Sequence, residues 1–314
     1  MLDSTPRKIL VGVTGDQDIR AALAFAAGEA RRRGTGVHLV HAVHPVHMAP
    51  DGATVTVEDH AVRKLGRKAL ADASLALEHE LGEDLPVSTE LVRGTAPHVL
   101  VDIAQHACLV VLQHQRMGKP MLVPSLSTTN PVAALSPVPV VAVPAEWAET
   151  ADRRGVTVGV DDPDRSREIV RAALEEARRR GTSVRLLHAW HYSTAYDDLV
   201  FEGDAGRRHE AEQAEGLTAG LEAMLARYRD VQTEVVVVHA RAADALVDES
   251  HRAALLVVGR HRHAIPLGPH LGSVARATLR HATCPVLVVD PVRAATQQPA
   301  VATSTTSVGS GGGS

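Results

Sequence analysis

Aromatic residues are scarce: two Trp, three Tyr and two Phe, 2 % of 314 residues. A core of ordinary size must then be filled by Ala, Val and Leu. Cysteine is scarcer still. Two residues, Cys108 and Cys284, cannot make a disulfide framework. Each adjoins an apolar run and reads as a small buried hydrophobe. Lysine occurs at four positions, Lys8, Lys64, Lys68 and Lys119; every other strong base is arginine. No sign of charge dominates. The net charge of −4 gives no sign of the electrostatic footprint of a nucleic-acid binder. No apolar run approaches the length of a membrane span, and no signal peptide precedes the first apolar run. The chain reads as a cytoplasmic protein with neither membrane nor nucleic acid as a partner.

Several motifs are absent as well. Residues 12–17 read GVTGDQ and 159–164 read GVDDPD, so neither first turn carries the Gly-x-Gly-x-x-Gly of a dinucleotide dehydrogenase. No Walker A loop occurs, and GPHLGS (268–273) is not a Gly-x-Ser-x-Gly nucleophile elbow. Histidines are plentiful, 18 in all. His41, His44 and His47 stand at three-residue spacing, partly echoed by His188 and His191. No cysteine or acid adjoins them at zinc-ligand spacing, and Pro45 breaks a regular helix, so they read as surface histidines.

What is present is one unit written twice. Residues 8–43 lie on 155–190 at an offset of 147, and the hexapeptide ARRRGT occurs in both, at 30–35 and 177–182. Further on, 92–113 lies on 238–259 and 136–144 on 282–290, at an offset of 146. Such self-similarity marks a duplicated fold. Within each copy strands and helices alternate. Ile9–Val13 is a continuous apolar run, as in a strand buried on both faces. Leu23, Ala26, Ala27 and Ala30 recur at helical spacing, Arg31–Arg33 load the last turn, and Gly34 supplies a left-handed cap. The pattern continues with a strand at Val37–Val43, a helix over about 58–81, a strand at Val87–Val92 and a helix at Ala96–Gln105. A strand at Leu109–Leu112, a short helix from about Ser127 and a last strand at Val138–Val143 complete the copy. In the second copy Asp162 and Pro163 stand as N-cap and first helical residue.

Five strands per copy, alternating with helices, predict an α/β chain of two tandem doubly wound units, each with a five-stranded parallel sheet. The units are expected over 1–147 and 152–293, with 294–314, rich in Ala, Thr, Ser and Gly, as a disordered tail. The last strands, Val138–Val143 and Val286–Val289, are expected to meet, because their edges are otherwise unpaired. Ligands on such sheets bind beyond the strand C-termini where strand order reverses. Here those positions follow Val160, Ala189 and Val258.

The second copy carries phosphate-compatible chemistry there. Gly259 lets the backbone turn and approach a ligand. Gly272-Ser273, followed by Val274, opens a helix whose free amides and dipole favour an anion. Arg260, His261, Arg262, His263 and His270 add cationic groups. Asp161 ends the first strand and can accept from a ribose or base.

In these residues the chain resembles the universal stress protein family in tandem form, across Lys8–Pro144 and Gly155–Pro291. Nucleotide-binding members carry Gly-x2-Gly-x9-Gly-(Ser/Thr) after the fourth strand and an Asp after the first. This chain has Gly259-x2-Arg262-x9-Gly272-Ser273 and Asp161, with arginine where the family has its second glycine. That guanidinium either contacts phosphate or stands in its way. The resemblance implies a Rossmann-like fold and an ATP-binding stress regulator, with or without Mg²⁺, and at most weak ATPase activity. It also implies that Ala189 contributes backbone contacts to adenine. Pairing through the last strands is implied too, made internally as a pseudo-dimer in a tandem chain, with a homodimer of the whole chain as a further expectation. In the first copy the same positions read Gln113, Arg116, Leu126 and Ser127, with Thr14 for the aspartate. That copy is expected to have lost the site. The alternative is an interaction or scaffold protein of the same fold that binds no nucleotide.

Overall fold

A computed structural model describes the protein at residues 7–15, 18–44, 46–48, 54–56, 59–82, 84–115, 128–150, 152–153, 155–192, 203–260 and 271–291. The first half runs β1 (Lys8–Gly12), α1 (Arg20–Arg33), β2 (Val37–Val43), short strands β3 (Val46–Met48) and β4 (Thr54–Thr56), then α2 (Asp59–Leu81) and β5 (Val87–Arg93). It closes with α3 (Ala96–Ile103), β6 (Ala107–His114), α4 (Thr129–Leu135) and β7 (Val140–Pro144). The second half runs β8 (Val156–Gly159), α5 (Pro163–Arg180), β9 (Val184–Trp190), α6 (Asp204–Leu225) and β10 (Thr233–His239). It closes with α7 (Ala242–Glu249), β11 (Leu255–Gly259), α8 (Ser273–His281) and β12 (Val286–Val289). The β3–β4 hairpin is not part of the predicted pattern; its three-residue strands are too short for a period to register.

Ten strands form one sheet in the order β10-β9-β8-β11-β12-β7-β6-β1-β2-β5. Every pair is parallel except β12–β7, where the two halves meet antiparallel. Within each half the spatial order is third, second, first, fourth, fifth strand, so the order reverses between the first and fourth. The last strands do meet, as their open edges required. Val141 pairs with Leu287, and the pairs on either side are Ala142–Val286 and Val140–Val288. With the offset of 146, Val141 and Leu287 are each other's counterparts, so a pseudo-twofold axis passes through that pair.

Successive strand residues point to opposite faces. Ile9 and Val11 join a core layer with Phe25, Leu39, Leu109 and Leu174; Leu10 joins the opposite layer with Val40, Val110, Leu256 and Val258. Both layers run through both halves. The predicted caps are present. Gly34 ends α1 in the left-handed region with φ of 60°, and its repeat counterpart Gly181 ends α5 with φ of 61°. Asp162 caps α5, its Oδ1 accepting from the amides of Asp164 and Arg165 at 3.0 Å each. The two cysteines are unbridged, and burial pushes the thiol of Cys284 up to about 12. No helix among the described residues is long and apolar enough to cross a membrane.

The repeated ARRRGT acquires its meaning at the axis. Glu29 and Glu176, the residues preceding the two copies of it, are buried where α1 and α5 pass each other. Arg33 reaches across to Glu176 at 2.5 Å, and Arg180 reaches back to Glu29. The helix-dipole reading of these arginines is therefore incomplete: one from each run leaves its own helix end to pair with the other half.

Candidate functional site

The reversal point of the second half opens into a cavity of about 790 Å³, within the 300–1,000 Å³ typical of small-molecule sites. The residues singled out above that line it are Val160, Asp161, Ala189, Val258, Gly259, Arg260, Gly272, Ser273 and Val274. His261 and Arg262 lie outside the described residues, as do His263 and His270.

One wall is the turn after β8. Val160 donates its amide to Leu187 O at 2.9 Å, and His188 Nδ1 lies 2.9 Å from the Val160 carbonyl. His41 makes the same contact with Val13 at 2.8 Å in the first half. The echo of His41 in His188 is thus a matched pair of braces that hold the ends of β1 and β8. Among the described residues no group of three potential ligands is placed to hold a metal ion. The Asp161 amide donates to Ser166 Oγ at 3.2 Å, and Ser166 is buried on α5. Ser166 carries no motif signal, yet it sets the turn from which the exposed Asp161 carboxylate projects.

The other wall is built by β11 and α8. Gly259 has ordinary backbone angles, so its role is space. A Cβ there would lie 2.2 Å from Ile169 Cδ1, a side chain of α5. The close approach inferred for Gly259 is therefore first to the neighbouring helix. Gly272 is the N-cap of α8 with φ −59° and ψ 162°, and no side chain caps the helix. Its carbonyl accepts from Arg276 N at 3.0 Å. The amides of Ser273, Val274 and Ala275 precede the first intrahelical donor, so they are left for another acceptor. Ser273 is exposed at this rim.

Arg260 lines the cavity, yet its guanidinium is turned away from the expected place among the phosphate-facing cations. It is buried, and its Nη1 donates to the carbonyls of Ala134 at 2.6 Å and Ser136 at 3.1 Å. These are the C-terminal carbonyls of α4 in the first half. Its Nη2 pairs with buried Asp290. Arg260 clasps the two halves. Its position after Gly259 gave no hint of that, because its acceptors lie some 125 residues away in sequence.

The first half has the same geometry without the space. Its counterpart cavity is about 50 Å³. Gln113, at the position of Gly259, sends its side chain across it: Oε1 accepts from Ala22 N at 3.3 Å and Nε2 donates to the Asp18 carbonyl. Thr14 and Thr129 line what remains. Arg116, Leu126 and Ser127 lie outside the described residues.

A model of the universal stress protein family matches residues 5–144 and again 153–290. A universal stress protein of Mycolicibacterium smegmatis is 30 % identical over 292 residues, covering 92 % of this chain and 98 % of its own. One from Mycobacterium tuberculosis is 32 % identical over 298 residues, covering 91 % and 98 %. Among solved structures, a universal stress protein from Archaeoglobus fulgidus superposes with a TM-score of 0.62 at 13 % identity. It covers 91 % of this chain and 97 % of its own, a likeness of fold.

Proposed function

The chain belongs to the universal stress protein family, with two family units in tandem, and from that premise we propose that its second half binds one adenine nucleotide. The ligand is ATP, with or without Mg²⁺, and the protein is a nucleotide-responsive stress regulator. The observation that carries this reading is the convergence of Asp161, Ala189, Gly259, Gly272 and Ser273, from four separate segments, on one cavity at the strand-order reversal.

The residues fit such a ligand. The uncapped start of α8 suits an anion, which the helix dipole and the amides of Ser273 to Ala275 would stabilise. The hydroxyl of Ser273 would donate to the same oxygens. Asp161, whose carboxylate makes no hydrogen bond or ion pair with the described residues, would accept from ribose hydroxyls.

A second reading, an interaction module that binds no nucleotide, is favoured by the withdrawal of Arg260 from the phosphate side. Titration calorimetry of the full chain with ATP decides between them. One site per chain is expected. Silence at millimolar ATP would sink the proposal, and two equivalent sites would refute the loss of the first one.

A further inference from the structure

Two helices start against the cavity of the second half. α8 brings Ser273, Val274 and Ala275 to it, and α5 brings Asp164 and Arg165. The two starts differ in what they offer a ligand. α8 has free amides. The first turn of α5 has none: Pro163 lacks an N–H, and the amides of Asp164 and Arg165 donate to Asp162 Oδ1 at 3.0 Å each. The Ser166 amide donates to the Asp162 carbonyl at 2.9 Å. What α5 presents to an anion is therefore a side chain, that of the exposed Arg165. We infer that Arg165 contacts the outer phosphates of the bound nucleotide, so that the site distinguishes nucleotides by the number of phosphates they carry. The inference rests on the nucleotide reading above and refines it.

Charge pairing around the cavity leads to this residue. Among the described residues two arginines line it, Arg165 and Arg260. Arg260 is committed to Ala134, Ser136 and Asp290. Of the acids there, Asp164 pairs with Arg167 at 3.0 Å and Glu168 with Arg171 at 2.8 Å. The Arg165 guanidinium makes no hydrogen bond or ion pair with the described residues. Residues 261–270, between β11 and α8, include no acid that could take it up. Its place in the chain agrees. Asp161 stands where a ribose would meet it, and Arg165 follows four residues later on the same segment. A nucleotide with its sugar at Asp161 and its phosphates on the α8 amides runs beside the first turn of α5. A guanidinium suits phosphate because its planar fork donates two parallel hydrogen bonds. Each further phosphate adds charge for it to meet, whereas base and ribose add none.

The first half carries the opposite arrangement. The offset of 147 makes Asp18 the counterpart of Arg165. Asp18 is held by Arg20, whose Nε donates to it at 2.7 Å. The Asp18 carbonyl accepts from Gln113, the side chain that fills the cavity there. The half whose cavity is about 50 Å³ thus has a paired acid at this position, and the half whose cavity is about 790 Å³ has a base with no described partner. An arginine that is merely solvated would leave all adenine nucleotides alike, and the experiment separates that case.

Titration calorimetry of the full chain with ATP, ADP and AMP, without divalent cations and at two salt concentrations, provides the test. The parent should bind ATP about tenfold or more tighter than AMP, with ADP between. Arg165→Gln should weaken ATP about fivefold, leave AMP within about twofold, and flatten the salt dependence of ATP binding. Arg165→Lys, which keeps the charge but not the fork, should retain part of the preference. Apo thermal unfolding of both variants should match the parent, because the side chain is exposed. Equal affinity of the parent for ATP and AMP would overturn the inference and leave the nucleotide reading standing. So would Arg165→Gln that matches the parent for both, or that loses all three nucleotides equally. Absence of binding of any nucleotide to the parent would refute the reading, and the inference with it.

Discussion

At the scale of single residues, the α8 start is where the binding proposal is most exposed to test. Gly272→Val should abolish nucleotide binding, because a branched side chain would project where phosphate approaches the amides. Apo thermal unfolding should stay nearly unchanged, since the position contributes little core packing. Ser273→Ala should weaken binding by about 1 kcal/mol or somewhat more, the usual worth of one hydrogen bond to a charged group. Gly259 behaves differently from Gly272. Its Cβ would strike Ile169, so Gly259→Ala should lower apo stability as well as affinity, and thermal melts separate the two glycines. Arg262 separates two pictures of the loop. If it contacts phosphate, Arg262→Ala weakens ATP binding and flattens its salt dependence; if it obstructs, Arg262→Gly tightens binding. The glycines, Asp161 and Ser273 were legible because turn and helix-start chemistry is local. Ser166 and His188 were not, because each acts on a backbone group whose position only the packed sheet defines.

At the scale of elements, boundaries followed caps closely where the caps were chemical. Asp162-Pro163 opens α5 and Gly34 closes α1 as the sequence implied, and Gly181 closes α5 in the same way. They drifted where no cap existed: α3 ends at Ile103 and a short 3₁₀ turn carries the chain to β6. The clasp from β11 to α4 is the element-level device that local pattern could not reveal. Arg260 supplies donors to carbonyls that the end of α4 leaves without helical partners, and it neutralises buried Asp290. Arg260→Met should therefore cost about 3–5 kcal/mol in urea unfolding, the usual penalty for stranding a buried charge. Adding Asp290→Leu should restore part of it. An equal loss in both variants would mean that the carbonyl contacts, not the ion pair, carry the clasp.

At the scale of the whole molecule, the two halves behave as one body joined at an antiparallel strand pair, a shared core and a buried ionic cluster. Burial opposes ionisation of Glu176, but Arg33, Arg179 and Arg180 outweigh it and hold its carboxyl below the ordinary 4.5. A carboxyl lowered in the folded state contributes its stability in full above the unfolded value and loses it as pH falls through the folded value. Stability should thus hold down to about pH 4.5 and decline below it. Glu176→Gln should reduce that acid-side slope while lowering stability near neutrality, where it leaves Arg33 without its partner across the axis. Denaturant melts between pH 3 and 7 would show both effects. An unchanged slope would assign the acid sensitivity to other carboxylates.

The sequence by itself determined the duplication, the alternation of strands and helices, the parallel sheets and the asymmetry of the two candidate sites. Each of these is written in periodicity, punctuation or a constant offset, signals that span a few residues or repeat at a fixed distance. It also implied the meeting of β7 and β12, since an apolar last strand without a partner leaves an open edge. Tertiary structure alone decided how charges far apart in sequence would pair. Whether an arginine faces a phosphate, an axis or a helix end depends on which acceptors the packed halves bring within about 3 Å of it. Glu29, Glu176 and Arg260 look like ordinary helix and loop residues until two halves about 147 residues apart are folded against each other.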